Sequence, residues 1–416
     1  MTDNAQLGDA PWLRHGEVAR LLDVLGRDGE EARVVGGAVR NALLSLAVDE
    51  IDVATTAVPE EVVRRVEAAG WKAVPTGIDH GTVTVVIDGK PFEVTTLRQD
   101  VETYGRRAKV VFGRDWRSDA ERRDFTINAL SVSADGRIHD YVGGIADITA
   151  RCVRFIGEPA TRIGEDYLRI LRFFRFHAWY GIGHPDAAGL HACILARTGL
   201  ETLSRERVRM ELLKLLLAPH ATPTLAVMAE AGILGTVLGG VPLLASFENL
   251  MKVEAAMGLS ANAVRRLGAL AVTVKEDGER LGLRLRLSNA EAERLVALEH
   301  WWCVSPEGGD QAAHALLYHL GPQSFTDRVL VAWSRSAAGA TNLAWHTLAD
   351  LPRRWTAPNF PLRAADFIDR GLTPSPALGA AMRGAEEAWI AADFPAERAA
   401  LDAIADRIAR AATATD

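Results

Sequence analysis

The spacing of apolar positions changes part-way along the chain. Over roughly the first 140 residues, helical and strand spacings alternate. Between Leu13 and Leu25, the residues Val18, Leu21, Leu22 and Leu25 share one helical face. Arg33-Val34-Val35 reads as a short strand that runs through Gly36-Gly37 into a helix over residues 38–46, and residues 51–54 read as another strand. Pro59 suits the first turn of a helix, and Gly70 stands just past its end. Residues 82–87 alternate with period two, Asp88-Gly89-Lys90 makes a hairpin turn, and residues 92–97 form the return strand. This pattern predicts an α+β domain with a small mixed or antiparallel sheet.

Beyond Ile163 the spacing is helical and clear strand patterns stop. Breaks at Ala218-Pro219, His220–Pro223, Gly308-Gly309, Asn359–Pro361 and Leu372–Pro376 divide an all-α half into at least two bodies. The pattern assigns no particular fold to residues 225–355. A chain of 416 residues is long enough for two to three domains, and we place their boundaries at 1–145, 146–220 and 221–416. The longest uncharged stretch, Ala231–Phe247, contains Gly232, Gly235, Gly239, Gly240 and Pro242, which suit a buried turn better than a membrane span.

Composition narrows the classes. Hydrophobic residues make up 48% and charged residues 24%, which excludes a disordered or fibrous chain. With 47 Lys+Arg against 54 Asp+Glu, the net charge is −7, so any nucleic-acid contact must rest on local basic patches. Cys152, Cys193 and Cys303 form no CxxC pair, which fits a reducing compartment. The first residues have neither the basic nor the apolar segment of a secretory signal, and a cytoplasmic protein is expected.

Chemistry concentrates in a few short stretches. Gly36-Gly37 between a strand and a helix lets backbone N–H groups approach a phosphate, and Arg40 one turn on can reach the same anion. Glu50 and Asp52, two apart on a strand, share one face and can hold divalent cations beside that cradle. The plainer reading is a glycine turn followed by two surface acids. Glu93, between Phe92 and Val94, points off the apolar face and can complete a three-carboxylate site, or be an ordinary solvent-facing strand residue. Arg122 and Arg123 stand before a helix start, with Asp124 and Thr126 as cap-type residues, and can hold phosphate oxygens; the alternative is a charged helix entry paired internally. Asp166, Arg169, Arg172 and Arg175 recur every third residue along one helix stripe. A carboxylate acceptor and a planar guanidinium there can hydrogen-bond a base edge. The alternative is an ion-pair ladder, worth only a few tenths of a kcal/mol per pair.

Taken in order, GGAVRNALL, EIDVATT, HGTVTVV, FEVTTLR, RRDFTINAL, DYVGGIADI, FIGEP, EDYLRILRFFRF and SRERVRMEL closely resemble the class II tRNA nucleotidyltransferases, or CCA-adding enzymes, of the polymerase-β-like superfamily. The segment NFPLRAADFIDRGLTPSPALGAAMRGAEEAW also looks like the tail of bacterial members. The resemblance implies a nucleotidyltransferase head followed by a helical neck, body and tail. It implies that Gly36, Gly37 and Arg40 contact the triphosphate, and that Glu50 and Asp52 are the acidic pair that holds Mg²⁺; Glu93 is read beside them as a third catalytic acid. Arg122, Arg123, Asp124 and Asn128 stand in a ribose- and phosphate-contacting motif. Asp166 and Arg169 stand where the family reads the incoming base, with Arg172 and Arg175 following toward the phosphates, and SRERVRMEL matches a helix that buttresses the pocket.

The chain departs from the pattern in places. Glu50 replaces the first Asp of the acidic pair, and its extra methylene lets it reach a metal from a retracted backbone. The neighbouring Asp49 should point to the opposite face. Asn41 replaces a common Asp, and Tyr141 replaces a Pro. No added phosphohydrolase metal set appears downstream. The activity implied is addition of CCA to the tRNA 3′ end from CTP and ATP by two-metal transfer with release of pyrophosphate. The alternatives are a poly(A) polymerase, against which TGIDHGTVTVV lacks the basic strand of those enzymes, and a CC- or A-only enzyme. Against a CC-only enzyme the segment Tyr104–Asp119 is retained. A third alternative is an RNA-binding module with a degenerate site.

Overall fold

The computed structural model describes residues 6–7, 10–78, 81–104 and 107–413. His80 of the HGTVTVV motif, residues 105–106 of the Tyr104–Asp119 segment and the first five residues lie outside the described set. Two compact units follow one another, residues 1–237 and 238–416.

The first unit is built on a seven-stranded mixed sheet. Its strands are β1 (Ala32–Val35), β2 (Asp52–Thr55), β3 (Lys72–Gly77), β4 (Thr82–Ile87), β5 (Lys90–Thr96), β8 (Ser131–Val132) and β9 (Ile138–His139), in the order β3-β4-β5-β2-β1-β8-β9. β1, ARVV, is buried along its whole length, as a central strand covered on both faces must be. β2 runs antiparallel to β1 but parallel to β5. A parallel pair needs a crossover, and α4 (Pro59–Ala68) with the β3–β4 hairpin supplies it. α4 buries Val62 and Val66. Its buried Arg65 donates to the carbonyls of Leu25 (3.1 Å) and Arg27 (2.7 Å), where the preceding helix ends.

Several boundaries differ from those read in the sequence. The helix expected over residues 13–25 is two, α1 (Pro11–Arg14) and α2 (Glu17–Leu25), because Gly16 turns the chain at φ 90°. α3 (Gly37–Leu43) stops before Leu46. β2 opens at Asp52, so Glu50 precedes the strand instead of sharing it. β3, β8 and β9 were absent from the pattern, as was a separate ribbon in which β6 (Arg98–Tyr104) pairs with β7 (Arg107–Phe112). The helix expected to start after Arg122 and Arg123 is a single 3₁₀ turn, Thr126–Asn128. The two arginines follow α5 (Trp116–Glu121), which Asp115 caps by accepting from the N–H groups of Arg117 and Ser118.

Seven helices complete the unit: α6 (Gly144–Thr149), α7 (Pro159–Glu165), α8 (Leu168–Tyr180), α9 (Ala187–Leu195), α10 (Arg205–Leu216), α11 (Ala221–Glu230) and α12 (Ile233–Leu238), whose last residue opens the second unit. Phe125 locks the sheet side to this helical part. Its ring lies 4.9 Å from Phe155 and 5.2 Å from Phe176, and Phe155 stacks on Phe173 at 5.4 Å. Fully buried rings of this size are worth roughly 1.5–3 kcal/mol each.

The second unit is all-helical among its described residues: α13 (Leu244–Ala256), α14 (Ala263–Ala271), α15 (Lys275–Leu285), α16 (Asn289–Val296), α17 (Gly309–Arg335), α18 (Leu343–Ala349), α19 (Leu351–Arg354), α20 (Ala364–Ile368), α21 (Pro376–Ala391) and α22 (Arg398–Thr413). Residues 225–355, unassigned by pattern, are therefore helices. Gly308-Gly309 precedes the long α17, which bends at Gly321 (φ 70°) and Pro322. α13, α14 and α17 meet over buried charges: Arg265 bridges Glu254 (2.7 Å) and Asp327 (2.9 Å). Trp389, Phe367 and Leu401 centre the core of the last helices. The uncharged stretch 231–247 is a short helix, a turn and the opening residues of α13, and no helix among the described residues is long and apolar enough to cross a membrane.

Candidate active site

The edges of β1, β2 and β5 and the N-terminal half of α8 enclose a cleft of about 690 Å³. Gly36, Gly37, Arg40, Glu50, Asp52, Glu93, Arg122, Arg123, Asp124, Asn128, Asp166, Arg169 and Arg172 all line it. Residues spread over more than a hundred positions thus converge on one cavity, and the plainer readings, which treat each stretch as local, do not account for that.

At the mouth, Gly36 has φ 67°, and a Cβ there would come within 3.2 Å of an Arg123 Nη1. The positive φ favours glycine, and a side chain there would also press on Arg123. α3 has only seven residues, so the grip on an anion must come from this turn and from Arg40 more than from a helix dipole. Arg40 is buried. Its Nη1 donates to Asn128 Oδ1 (2.5 Å) and its Nη2 to the Tyr180 hydroxyl (2.8 Å). Burial lowers its pKa, and the nearby Tyr180 opposes that shift.

The floor is acidic. Asp52 opens β2 and stands opposite Glu93 in the parallel register. Glu50, on the approach to β2, faces the same cavity, whereas Asp49 is not part of the lining. The Asp52 carboxyl is pushed above its usual range, first by desolvation against the sheet and then by the charges of Glu93 and Glu50. Among the described residues none of these three acids has an ion-pair partner.

The wall is made of arginines held by acids, some local and some from distant segments. Asp119, buried on α5, accepts from Arg122 Nε (2.9 Å) and Arg123 Nη2 (3.2 Å), three and four residues on. Arg123 Nη1 also donates to the Asn128 carbonyl (3.2 Å). Asp124 accepts from Arg172 Nε (2.7 Å), from the Asn128 amide (3.1 Å) and from its neighbour's N–H (2.9 Å). Burial alone would raise the Asp124 carboxyl; Arg172 and these hydrogen bonds outweigh it and hold it below the usual range.

The expected helix stripe is corrected. Asp166 is not on α8 but in the extended residue that ends α7, at φ −158°. One of its oxygens accepts from the Leu168 N–H (3.1 Å), fixing the start of α8, and the other accepts from Arg207 Nη2 on α10 (2.5 Å). Arg169 pairs with Glu165 and donates through the same Nη1 to the Arg162 carbonyl (2.8 Å). Its Nε and Nη2 have no partner among the described residues. Arg175 does not line the cleft. It turns to Glu211 of α10 (2.5 Å) and lies over the Phe176 ring at 4.3 Å. The ladder alternative fails as well, since Asp166 pairs with Arg207 and not with Arg169.

Asp119, Thr82, Thr95, Arg98 and Phe176 also line the cleft and were given no role from the sequence. Asp119 was detectable: its spacing to Arg122 and Arg123 is that of helical ion pairs. Thr82 and Thr95 carry no such signal; their hydroxyls meet at 3.2 Å only because β4 and β5 pair.

Comparison with known proteins places this geometry. Residues 32–154 match the family described as Poly A polymerase head domain, and residues 191–247 match the probable RNA and SrmB-binding site of polymerase A. The chain is 33% identical over 379 residues to the mitochondrial CCA tRNA nucleotidyltransferase 1 of Danio rerio, covering 89% of this chain and 85% of that one. The chain belongs to the CCA tRNA nucleotidyltransferase family. It is 31% identical over 374 residues to the CCA-adding enzyme of Limosilactobacillus fermentum, covering 87% and 89% of the two chains. The crystal structure of the Bacillus stearothermophilus CCA-adding enzyme in complex with CTP superposes with a TM-score of 0.79 at 27% identity, over 98% of this chain and 100% of that one. The fold is therefore the α+β head and helical continuation that the sequence implied, and the protein is a nucleotidyltransferase.

CCA tRNA nucleotidyltransferases generally use a divalent metal, and the acidic floor fits one. Among the described residues no three acids, histidines or cysteines make a ready three-ligand cage. Glu50 and Asp52 instead offer an open carboxylate pair whose remaining positions suit water and substrate oxygens, the usual arrangement for a small hard cation. Burial first, and then the charges of Glu93 and Glu50, raise the Asp52 carboxyl, and a bound cation would offset both.

Proposed function

We propose that this chain adds C, C and A in turn to the 3′ end of tRNA, taking CTP and ATP and releasing pyrophosphate, without a nucleic-acid template. The observation that carries the proposal is the pairing, in one cleft, of three crowded acids that have no ion-pair partner among the described residues with a side-chain pair able to read a base. Glu50 and Asp52 hold the metal, which we take to be Mg²⁺, and Glu93 adds negative charge beside them. When bound, the ions acidify the attacking 3′-hydroxyl and neutralise the triphosphate. Gly36, Gly37 and Arg40 hold the phosphates, and Arg122, Arg123 and Arg172, braced by Asp119 and Asp124, hold ribose and phosphate oxygens. Asn128 braces Arg40 and Asp124.

Asp166 accepts from the exocyclic amine of cytosine or adenine, and Arg169 donates to the adjacent ring nitrogen. Each Asp166 oxygen makes one internal hydrogen bond and keeps a lone pair, and Arg169 keeps Nε and Nη2. Residues 1–145 act as head, 146–220 as neck and 221–416 as body and tail that grip tRNA by shape and backbone. The three cysteines are free thiols, which supports a reducing compartment such as the cytoplasm.

The test is product length on a tRNA lacking its 3′ end, with labelled CTP and ATP supplied separately and together. Addition of three nucleotides with both, two with CTP alone and none with chelator is expected. A long adenylate ladder, a stop at two nucleotides with both substrates, or no incorporation would overturn it in favour of a poly(A) polymerase, a CC-only enzyme or a binding module.

A further inference from the structure

Arg40 stands apart from the other arginines of the cleft whose partners are described above. Its Nη1 meets Asn128 Oδ1 at 2.5 Å, its Nε and Nη2 meet Asn41 Oδ1 at 3.2 and 3.0 Å, and its Nη2 meets the Tyr180 hydroxyl at 2.8 Å. Among the described residues every hydrogen-bond partner is neutral, and the one carboxylate that acts on it, Asp124, makes no direct bond to it and is engaged by Arg172. Its guanidinium carbon also lies 4.1 Å from the Tyr180 ring centroid and 5.4 Å from that of Phe176. Those two rings are four residues apart on α8, with centroids 5.7 Å apart, so one helix face presents both. A carboxylate in place of any of these acceptors would hold the guanidinium as firmly but would neutralise it. Neutral oxygens and ring faces fix its direction and leave its charge for an anion.

We infer that Tyr180 is a positioning residue for nucleotide triphosphates: its hydroxyl and ring aim Arg40 at the phosphates. This rests on the reading of Arg40 as a triphosphate contact. Nothing in the motifs pointed to Tyr180, which falls at the last turn of α8. Arg169, which faces the base, is on the first turn of the same helix, about 16 Å away along its axis at 1.5 Å per residue. A single rigid helix thereby sets the distance between the group that reads the base and the group that anchors the phosphates. The two ends of the nucleotide are held in register by the neck rather than by the sheet alone.

The experiment titrates full-length wild-type protein, Tyr180→Phe, Tyr180→Leu and Arg40→Gln with inorganic tripolyphosphate in Mg²⁺ buffer by calorimetry, with CMP as a ligand lacking the triphosphate. Steady-state kinetics with CTP and with ATP accompany it. Tyr180→Phe keeps the ring and loses one hydrogen bond to a charged group, so tripolyphosphate should bind about five- to tenfold more weakly. KM for CTP and ATP should rise by that same factor with kcat little changed, and CMP affinity should hold. Tyr180→Leu should weaken tripolyphosphate further. A lowered melting temperature with unchanged tripolyphosphate affinity in both Tyr180 variants, while Arg40→Gln weakens it, overturns the role of Tyr180 alone. Unchanged affinity in Arg40→Gln overturns the phosphate reading of Arg40 and this inference with it.

Discussion

Replacing Asp166 by alanine separates base reading from stability, and the structure gives the size of each effect. The carboxylate has two internal tasks: it caps α8 through the Leu168 N–H and it neutralises Arg207 at 2.5 Å. The side chains of that pair are only 19% and 15% exposed. Removing one partner of a fully buried pair costs roughly 3–5 kcal/mol; at this exposure, with screening, about 2–3 kcal/mol is expected. The base-reading task is different. Uracil and guanine place a carbonyl where cytosine and adenine place an amine, so the carboxylate faces an acceptor. That mismatch is worth about 2–3 kcal/mol, or roughly 30- to 150-fold in kcat/KM.

The ratio of kcat/KM for CTP to that for UTP cancels the folded fraction, because both nucleotides meet the same enzyme population. Asp166→Ala should therefore lose stability in urea and, independently, lose most of its CTP-over-UTP and ATP-over-GTP preference. Arg207→Met supplies the control, with comparable destabilisation but a smaller loss of preference, since the acceptor remains. A selectivity ratio unchanged in Asp166→Ala would refute base reading by this residue and leave it a helix cap.

Other outcomes follow from the same geometry. Asp52→Ala should abolish incorporation with tRNA binding nearly intact, while Glu50→Asp keeps substantial activity; full activity of Asp52→Ala in Mg²⁺ would remove the floor as the metal site. The Asp52 carboxyl is raised, so folding favours its protonated form and metal-free stability should decline as pH rises through the carboxylate range toward that raised value. Accordingly Asp52→Asn should melt higher than wild type in chelator at neutral pH, and Mg²⁺ should raise the melting temperature of wild type only; calorimetric scans show either pattern. Asp327, 2% exposed and bridging Arg265 and Arg294, should cost roughly 3–5 kcal/mol in urea when changed to Ala, without altering CTP affinity. Affinity for tRNA should fall with salt despite the net charge of −7, with a slope reporting a modest number of phosphate contacts; a flat salt response would contradict a backbone-gripping body.

How far the sequence carried depended on whether the signal was local. β4 begins and ends where its period-two alternation does, and α4 starts at its proline, because one face of each is buried and the punctuation is built into the chain. β3 was missed because Lys72–Gly77 alternates poorly and contains Pro75, which cannot donate to a ladder. Its pairing with β4 accordingly shifts register between Val74 and Gly77. β8 and β9 are two residues each, too short for any periodicity. Their pairing is set by β1, which lies about a hundred positions upstream. The second unit is harder still: α13, α14 and α17 are held by Glu254, Arg265 and Asp327, whose spacing along the chain says nothing of their contact.

The site shows the same limit, with a consequence for its electrostatics. From the sequence, Asp166, Arg169, Arg172 and Arg175 look like one self-neutralising ladder. In the fold Asp166, Arg172 and Arg175 take partners from distant segments and Arg169 takes Glu165, and the cleft is left with its charges sorted. Six arginines and six acids line it, so it has no net field to attract a tetra-anionic nucleotide. Three of the acids, Asp119, Asp124 and Asp166, are engaged with arginines. The other three, Glu50, Asp52 and Glu93, crowd the floor, where burial and the charges of Glu93 and Glu50 raise the Asp52 carboxyl against the opposing pull of Arg123. If Glu50 and Asp52 hold the metal and Arg40 the triphosphate, as proposed, the floor repels the nucleotide until divalent cations occupy it. Metal and nucleotide affinity would then be coupled: the acids that repel the substrate alone would hold it once the metal is present.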